Sequence, residues 1–320
     1  MSGPPRPEFW SGRTVAVTGG AGFLGKPTVR LLDELGARPR VIRSAEHDLR
    51  DVAACRTALE GAEIVIHLAA NVGGIGYNRR NPAPLAHDNL AMGINVFESC
   101  RDLAVGKLVV ASSVCAYPLA ITVPFVEDDL WEGYPEPSNA PYGLAKRMLH
   151  VLSDTYRRQY GFDSCVPVIA NLYGPEDNFD LEDSHVIAAM IRKYVEAVER
   201  GEERVTLWGT GAPTREFLYV DDAARALVLA AERCETSQPI NIGTGTETRI
   251  RDLADTICEL TGFEGETVWD DSRPDGQPRR YLDVTRAREL LGFEAEVTLT
   301  QGLRQAIEGF RSARPTSAAA

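Results

Sequence analysis

The sequence predicts an α/β fold, a doubly wound parallel sheet with a smaller carboxyl-terminal substrate domain. Short apolar runs alternate with helical patterns up to Ala170, and a glycine-rich turn joins the first run to the first helix. Beyond Ala170 this alternation loosens, and 320 residues suffice for two unequal domains. We therefore expect a sheet domain, a substrate domain and flexible termini, with the bounds 12–170 plus 216–243, 171–215 plus 244–310, and 1–11 with 311–320.

The amino-acid composition limits the kinds of molecule that the protein is expected to bind. Acidic residues number 46 against 34 basic ones, and the net charge of −12 repels nucleic acid and anionic membranes. Six cysteines occur without a C-x-x-C pair or a Cys/His metal spacing, which favours reduced thiols and no bound metal. The amino terminus has no apolar signal segment, and no run approaches the roughly 18 apolar residues of a membrane span. We expect a cytoplasmic protein with neither a nucleic acid nor a membrane partner.

The first strand, Thr14–Thr18, leads into the turn Gly19-Gly20-Ala21-Gly22-Phe23-Leu24-Gly25, and a helical pattern follows. A strand, a glycine turn and a helix in this order predict a Rossmann dinucleotide site. Gly19 permits the turn, Gly22 lets the backbone approach a pyrophosphate, and Gly25 lets the helix pack on the strand, with Phe23 and Leu24 between them. A plain tight turn is the alternative, since the spacing is G-x-x-G-x-x-G.

The second strand, 40–42, ends at Arg43 instead of an acidic residue. A carboxylate there would bind the adenosine ribose and favour NAD, whereas a guanidinium suits the 2′-phosphate of NADP. We therefore favour NADP, the alternative being that Arg43 is a solvated surface residue. Asp48 and Leu49 follow at a place suited to the adenine amino group, and a helix cap fits Asp48 nearly as well.

The third and fourth strands carry small or polar residues at their ends. Glu63 to Ala70 reads as a buried strand, and its end, Leu68-Ala69-Ala70, lets a cofactor lie close. His67 lies inside this run and is predicted to be a core histidine. A long helix, 82–103, leads to the strand 107–111, which ends in Ser112-Ser113-Val114-Cys115. Ligands bind beyond the carboxyl ends of such strands, so hydroxyls and a thiol here mark a candidate site.

A helix beginning at Pro141 carries Tyr142 and Lys146, which share one face because they are four residues apart.

The chain after this helix has weaker patterns of secondary structure. Asp221 and Asp222 are expected to cap a helix, and two helices are expected after Gly243. The remaining predicted elements are a strand over 164–170 followed by Asn171, a helix from Ser184-His185 to about Glu199, strands over 205–208 and 215–220, and a strand over 240–243.

The glycine turn, the hydroxyl strand end and Tyr-x-x-x-Lys together resemble the extended short-chain dehydrogenase/reductase family. Further motifs are similar to the GDP-L-fucose synthase branch of that family, whose members are 3,5-epimerases and 4-reductases of a GDP-4-keto-6-deoxymannose. The similarity runs from about residue 13 to 310. The matching stretches are Asn71–Ile75, Ser113–Pro118, Asn171–Pro175, Asp177–Phe179, Ser184–Ile187, Trp208–Gly211 and Arg215–Leu218.

The resemblance implies roles for these residues. Ser113, Tyr142 and Lys146 would form the reductase triad, and Cys115 with His185 the acid/base pair for epimerisation. NADPH would be the cofactor, with Tyr142 and Lys146 also contacting it, and a nucleotide sugar the substrate. A homodimer would form through the helices 82–103 and 142–160. Asn171, Trp208, Arg215 and Arg279 would bind the substrate.

The sequence also departs from the family pattern. Asn71 stands where the family often has lysine, and Val114 separates the second serine from Cys115, so alignment on the cysteine selects Ser113 and leaves Ser112 a structural role. Other interpretations stay open: Cys115 as an inert buried thiol, His185 as a surface residue, and Trp208 as a core side chain. Arg215, and Arg279-Arg280, pair either with a diphosphate or with the many acids.

The predicted chemistry follows from the 4-keto group, which acidifies C3 and C5 of the sugar. Inversion requires proton exchange on opposite ring faces, and a Cys/His pair titrates near the required range. Ser113 would bind the C4 oxygen, Tyr142 would protonate it, and Lys146 together with the oxidised nicotinamide is expected to lower the pKa of Tyr142. The competing functions are a 4-ketoreductase or a 3,5-epimerase alone on a related sugar, and a non-catalytic NADP-sensing scaffold.

Overall fold

The computed structural model describes residues 3–181, 183–273 and 275–314. Two short 3₁₀ helices span Val114–Ala116 and Glu127–Trp131. The α-helices are α1 Pro7–Trp10, α2 Gly25–Glu34, α3 Val52–Leu59, α4 Ile75–Arg80, α5 Pro82–Asp102, α6 Ala140–Tyr160, α7 Val186–Arg200, α8 Val220–Arg233, α9 Ile250–Thr261, α10 Thr285–Leu291 and α11 Leu299–Ser312. The strands are β1 Thr14–Thr18, β2 Arg38–Ile42, β3 Ile64–His67, β4 Lys107–Val110, β5 Ser112–Ser113, β6 Ser164–Cys165, β7 Pro167–Ile169, β8 Asn171–Tyr173, β9 Arg204–Trp208, β10 Thr214–Arg215, β11 Phe217–Tyr219, β12 Ile240–Ile242, β13 Thr248–Arg249, β14 Glu266–Asp270 and β15 Arg279–Arg280.

The main sheet is parallel and has the order β2-β1-β3-β4-β6. The chain continues one residue after β4 as β5, and one residue after β6 as β7. These strands form a parallel group in the order β12-β7-β5, which extends the main sheet. Because β2 and β3 lie on opposite sides of β1, the direction in which successive strands join the sheet changes between β1 and β3. The crevice beyond the carboxyl ends of β1 and β3 is therefore where a doubly wound sheet binds its ligand. The predicted fold class is confirmed.

Both faces of this sheet are covered by apolar clusters. Alternate residues of β1 enter different clusters: Val15 and Val17 join α2 and α8, while Ala16 joins α3, α5 and α6. A strand covered on both faces needs a continuous apolar run, and β1, β3 and β4 have one. The buried sheet is the rigid support that fixes the residues at its carboxyl edge.

A third apolar cluster forms apart from the sheet, among α7, α9 and α11 and the strand pair β8–β11. Its largest fully buried side chains include Tyr173 and Tyr194. Smaller sheets accompany it, with β14 parallel to β9, and β13-β10-β15 in that order. A separate core of this kind supports a second domain, although its bounds remain those of our prediction.

Three expectations differ from the structure. Residues 7–10 of the predicted flexible terminus form α1, because Trp10 is fully buried and its Nε1 donates to the Glu232 carboxylate at 3.2 Å. In the described part of the chain after Gly243 there are three helices, not two, since Thr285–Leu291 forms α10. At the other terminus α11 continues to Ser312, while residues 1, 2 and 315–320 of the predicted termini lie outside the described part of the chain.

The predicted helix-capping role of Asp221 and Asp222 is also wrong. Helix α8 begins at Val220 after Tyr219, with no side-chain cap. Asp222 instead accepts the backbone N–H groups of Glu296 and Val297 at 3.0 and 2.9 Å. Asp221 forms an ion pair with Arg30. Each carboxylate therefore connects α8 to a segment that is distant in the chain: Asp221 to α2, and Asp222 to residues 296–297.

Among the described residues, no helix combines the length and apolar character needed to cross a bilayer. All six cysteines are free thiols. The described side chains contain no group of three or more His, Cys, Asp and Glu residues arranged to hold a metal ion.

Candidate active site

The glycine turn forms a cradle that side chains would fill. Gly19 has a φ of +68°, and a Cβ on it would lie 2.8 Å from the backbone nitrogen of Ala69. A Cβ on Gly25 would lie 2.1 Å from the Gly19 carbonyl oxygen, so only glycine lets α2 approach β1 this closely. Gly22 is exposed, and the first turn of α2 has no side-chain cap. These features fit a dinucleotide pyrophosphate at the helix terminus, with Phe23 and Leu24 half-buried beside it.

The neighbouring ends of β1 and β3 are joined by a buried hydrogen-bond network. The Thr18 hydroxyl lies 2.7 Å from His67 Nδ1 and accepts the backbone N–H groups of Leu68 and Ala69, both at 3.2 Å. Burial, and then the charge of Lys146, lowers the pKa of His67 to about 3. His67 is therefore a neutral core residue, as predicted. Thr18, which no sequence motif had marked, fixes the half-buried backbone of 68–70 beside the cradle.

Arg43 is exposed directly after β2 and lines an open cleft of about 470 Å³ with Gly20, Ala21 and Lys26. This placement next to the glycine turn is the one a 2′-phosphate contact requires. Arg43 is therefore available to a ligand bound in this cleft.

Asp48 does not cap α3, because the Asp51 side chain does so by accepting the Ala54 N–H at 2.7 Å. Both Asp48 oxygens instead accept from Arg50, and this contact lowers the pKa of Asp48 to about 2. Leu49 is buried. An adenine amino group would have to share the Asp48 carboxylate with Arg50.

The predicted triad comes together at the carboxyl end of β5. Ser113 hydrogen-bonds to the phenol of Tyr142, and Lys146 Nζ lies 5.6 Å from the centre of the Tyr142 ring. Lys146 is buried and donates to the Ala111 carbonyl at 2.9 Å. Burial lowers the pKa of Lys146 to about 8.

The pKa of Tyr142 differs from our expectation. Burial raises it, the neighbouring Cys115 adds to the rise, and the hydrogen bond from Ser113 opposes it. Lys146 Nζ, 5.6 Å from the ring centre, does not offset this rise. The phenol is therefore kept protonated in the protein alone, which suits a proton donor.

Cys115 is placed by close packing of α6 against the turn 114–116. A Cβ on Gly143 would lie 2.2 Å from the Cys115 carbonyl oxygen, so a glycine next to Tyr142 is required. Ser113 Oγ accepts the Cys115 N–H at 3.2 Å, and Arg147 donates to the carbonyls of Ala116 and Gly133. Gly143 and Arg147 were not predicted. A glycine inside a helical pattern, which costs helix stability, was the available signal for the first.

Ser112, in contrast, faces away from this group. Its hydroxyl lies 3.1 Å from Nε2 of the buried His150. This agrees with the structural role that the sequence analysis gave it.

The two arginines of β15 point to opposite faces, as successive strand residues do. Arg279 Nε donates to Glu247 at 3.0 Å, on the side where Thr214 also binds Glu247. Arg280 NH1 instead lies 3.9 Å from Cys115 Sγ. The structure therefore brings Arg280 to the cysteine, and Arg279, which we assigned to the substrate, is held in an ion pair elsewhere.

Arg215 lies opposite Arg280 in the parallel pair β10–β15, so their side chains share a face. Burial, followed by the charge of Arg280, lowers the pKa of Arg215 to about 10, and Asp275 opposes the shift. Asp275 accepts from the backbone and hydroxyl of Thr210, both at 2.7 Å. The loop after β9 is thereby tied to the arginine pair.

Trp208, at the end of β9, is 63% exposed and is not a core side chain. Lys193 Nζ lies 5.7 Å and Arg273 Cζ 5.1 Å from its ring centre. An exposed indole flanked by two cations is suited to stack a nucleobase. Lys193 and Arg273 had no signal in the sequence analysis.

His185 is exposed at the residue before α7, and partial desolvation by surrounding protein lowers its pKa. Gly74 N donates to the Asp183 carbonyl at 2.9 Å, and Asn78 Nδ2 donates to Asn139 Oδ1 at 2.8 Å. Asn139 immediately precedes α6, so these contacts bring the segment of His185 to the crevice of Tyr142. Among the described residues, no hydrogen bond joins His185 to Cys115.

Asn171 is half-buried at the start of β8, and its Nδ2 donates to the Glu216 carbonyl at 2.9 Å. The side chain thus joins β8 to the backbone between β10 and β11. Asn71, where the family often has lysine, is held by Tyr77 and Asp88, since its Oδ1 accepts from Tyr77 and its Nδ2 donates to Asp88.

The comparisons with known proteins agree with this geometry. The model of the NAD dependent epimerase/dehydratase family matches residues 15–243. The GDP-L-fucose synthase of Escherichia coli (strain K12) is 38% identical over 312 residues, which are 94% of this chain and 97% of that protein.

Solved structures show the same relationship. A GDP-L-fucose synthetase from Naegleria fowleri bound to NADP has a TM-score of 0.85 at 32% identity, covering 94% of this chain and 93% of that one. A GDP-6-OMe-4-keto-L-xylo-heptose reductase from C. jejuni has a TM-score of 0.88 at 25% identity, covering 98% and 100%. The predicted resemblance is confirmed, and the chain belongs to the NAD dependent epimerase/dehydratase family, among the extended short-chain dehydrogenases/reductases.

Proposed function

We propose that this protein is an NADPH-dependent nucleotide-sugar epimerase/reductase that converts GDP-4-keto-6-deoxy-D-mannose to GDP-L-fucose. One observation carries the proposal: Ser113, Tyr142 and Lys146 meet at the same strand end as Cys115, beside the glycine cradle. A scaffold that only senses NADP has no use for this arrangement. The near full-length similarity to GDP-L-fucose synthases supports the same substrate.

The cofactor is NADP(H), as an NADP-bound relative supports. Gly19, Gly22 and Gly25 would receive its pyrophosphate, with Phe23 and Leu24 beside them, and residues 68–70 would lie along it. Arg43 would bind the 2′-phosphate, while Asp48 and Leu49 would border the adenine. Tyr142 and Lys146 would contact the nicotinamide ribose. When bound, NADPH supplies the hydride that reduces C4.

The nucleotide sugar would bind along the exposed strand ends of the second core. Trp208 would stack the guanine, and Arg215 would pair with the diphosphate, where two cationic groups share one face. We now place Arg280 there instead of Arg279, because Arg279 is paired with Glu247. Asn171 would lie closer to the sugar, since it is joined to the backbone next to Arg215.

In the epimerisation, Cys115 would remove a proton from C3 or C5 and His185 would return one from the other ring face. The thiolate of Cys115 would take up the proton and the protonated imidazole of His185 would supply one, so the carbon regains the proton that it lost. Ser113 would donate to the C4 oxygen and stabilise the negative charge that develops on it. In the reduction, Tyr142 would donate its proton to the same oxygen, and Lys146 would orient the phenol.

The proposed function is tested by incubating the purified protein with GDP-4-keto-6-deoxymannose and NADPH in deuterated water. We expect NADPH oxidation, deuterium at C3 and C5, and GDP-L-fucose as the product in an NMR spectrum. A dTDP-4-keto sugar is the control that tests whether the reaction requires the guanine nucleotide. Absence of NADPH oxidation with any GDP- or dTDP-4-keto sugar would falsify the enzyme assignment.

A second candidate function is 4-keto reduction without epimerisation. The similarity in fold to a GDP-heptose reductase supports it, because the sheet and triad do not by themselves require proton exchange at C3 and C5. NADPH oxidation without any deuterium in the product would favour this alternative over the proposal.

Arg43→Asp is expected to shift the cofactor preference from NADPH toward NADH. The change removes the cation that faces the 2′-phosphate and supplies a carboxylate for the ribose hydroxyls. The measurement is kcat/KM with each cofactor, with Arg38→Asp at the start of β2 as a matched control. Equal cofactor ratios in wild type and Arg43→Asp would assign Arg43 to the surface.

We further propose a homodimer formed through α5 and α6. Ile94, Met148 and Tyr160 expose 45–49% of their surface on these two helices, which pack against each other. A cytoplasmic location is proposed as well, because all six cysteines are free thiols.

A further inference from the structure

Glu216 is a buried carboxylate with no part in the chemistry above. It lies between β10 and β11, and 1% of its surface is exposed. Its Oε1 accepts the N–H groups of Thr244 and Gly245, the latter at 2.7 Å, and its Oε2 accepts the Leu282 N–H at 2.8 Å. A Cβ on Gly243 would lie 2.3 Å from Oε1, so glycine is needed for this approach.

These bonds join three separate segments of the chain. The Glu216 backbone N–H also donates to the Arg280 carbonyl at 3.1 Å, while the side chain holds Leu282, two residues further on. Arg215 is the residue directly before Glu216. One residue therefore fixes β10 and β15 relative to each other at the positions of both arginines.

The arginine pair needs such a support. Arg215 and Arg280 share a face in register, and their like charges repel while burial already disfavours the charged form of Arg215. Asp275, which opposes the pKa shift of Arg215, is bound to Thr210. Besides the β10–β15 pairing and the Glu247 carboxylate that Thr214 and Arg279 share, hydrogen bonds of Glu216 hold the two strands at this separation.

We propose that Glu216 is a positioning residue that holds Arg215 and Arg280 as a preformed site for the diphosphate of the nucleotide sugar. The identity of this ligand rests on the proposed function. We call the hydrogen bonds of Glu216 to Thr244, Gly245 and Leu282 the clamp. The clamp is observed independently of the ligand, and the experiments below test the clamp and the ligand separately. A preformed cation pair improves binding because the strands need not be ordered when the ligand arrives.

Glu216→Gln separates the two sides of the clamp. A glutamine has one carbonyl oxygen, which suits the side where Thr244 and Gly245 donate. Its amide nitrogen then faces the Leu282 N–H, so that two donors oppose each other. The variant is expected to release β15 while keeping the turn at 244–245.

Asp222→Asn is the matched control. Asp222 is also buried, and its carboxylate accepts two backbone N–H groups, those of Glu296 and Val297, which lie beyond α10 and outside the β10–β15 pair. Both variants lose hydrogen bonds to a buried carboxylate. Only the first acts on the arginine pair.

The experiment measures amide exchange of the peptide 278–284, KM and kcat for the nucleotide sugar, and the Kd of NADPH. For Glu216→Gln we expect faster exchange at Leu282 and a KM raised about tenfold, the size of one lost buried hydrogen bond. NADPH affinity should stay within about twofold, because the cofactor cradle is on other strands. Asp222→Asn should leave the KM and the exchange at Leu282 unchanged.

Glu216→Gln in an Arg280→Gln background should raise KM by less than it does alone, since both act on one contact. Unchanged exchange at Leu282, an equal rise of KM in Asp222→Asn, or full additivity with Arg280→Gln would each overturn the proposal. If Glu216→Gln does not fold, Glu216→Asp serves instead, because it keeps the charge but is one methylene too short to reach both sides. If wild type turns over no nucleotide sugar, the proposed function fails, while the exchange measurement still decides the clamp.

Discussion

Cys115→Ser is expected to reduce solvent deuterium uptake at C3 and C5 by about 10²–10⁴-fold, the usual contribution of a general base. A serine hydroxyl fits the half-buried site but is far too weak an acid to cycle its proton near pH 7. The Cys115 N–H still reaches Ser113 Oγ, so the turn is retained. The measurement is deuterium incorporation by NMR with GDP-4-keto-6-deoxymannose.

Cys258→Ser is the matched control for this change. Cys258 is the other half-buried cysteine, and its thiol donates to the Phe263 carbonyl in the second apolar core. It should exchange deuterium as wild type does. If Cys115→Ser does so too, Cys115 is a packing residue and another group is the base.

Tyr142→Phe is expected to lower the rate of NADPH oxidation by about 10²–10⁴-fold. The change deletes the protonated phenol that burial maintains, while the ring that Lys146 approaches stays in place. Deuterium exchange at C3 and C5 should continue, because Cys115 and Ser113 are untouched. The two readouts, taken in one reaction, separate the reduction from the epimerisation.

Tyr156→Phe is the control on the same helix. Its hydroxyl donates to Glu98 on α5, about four helical turns beyond Tyr142 along α6. NADPH oxidation by this variant should remain near that of wild type. Equal losses in both variants would mean that α6 tolerates no phenol deletion, and an undiminished rate in Tyr142→Phe would remove Tyr142 from the mechanism.

Features with a local cause were predictable from the sequence. Thr14–Thr18 is the first strand in both prediction and structure, because β-branched residues are bounded by a glycine turn. Helix α7 begins at Val186, next to the predicted start, and α6 begins within one residue of Pro141. Ser113, Tyr142 and Lys146 lie together as the resemblance to the extended short-chain dehydrogenases/reductases implied, although the pairing of β5 and α6 is not itself a local feature.

Features that depend on pairing between distant segments were not predictable. Whether Arg279 or Arg280 faces Cys115 is decided by the register of β15 on β10, 65 residues earlier in the chain for each partner. Trp10 is buried because it packs near Glu232, 222 residues away. No local pattern contains such information. The arrangement of His185 opposite Cys115 stays a prediction for the same reason.

The burial of Lys146 has a thermodynamic consequence for the whole protein. Its pKa is about 8 when folded against a usual value of 10.5, so the unfolded chain binds its proton more tightly. The stabilising effect of this difference is present above pH 10.5 and is lost as the pH falls through 8. At neutral pH the charged amine therefore opposes folding by about 3 kcal/mol, a large fraction of the stability of an ordinary domain. The rest of the sheet must supply that free energy, which makes the protein less stable than its core alone would permit.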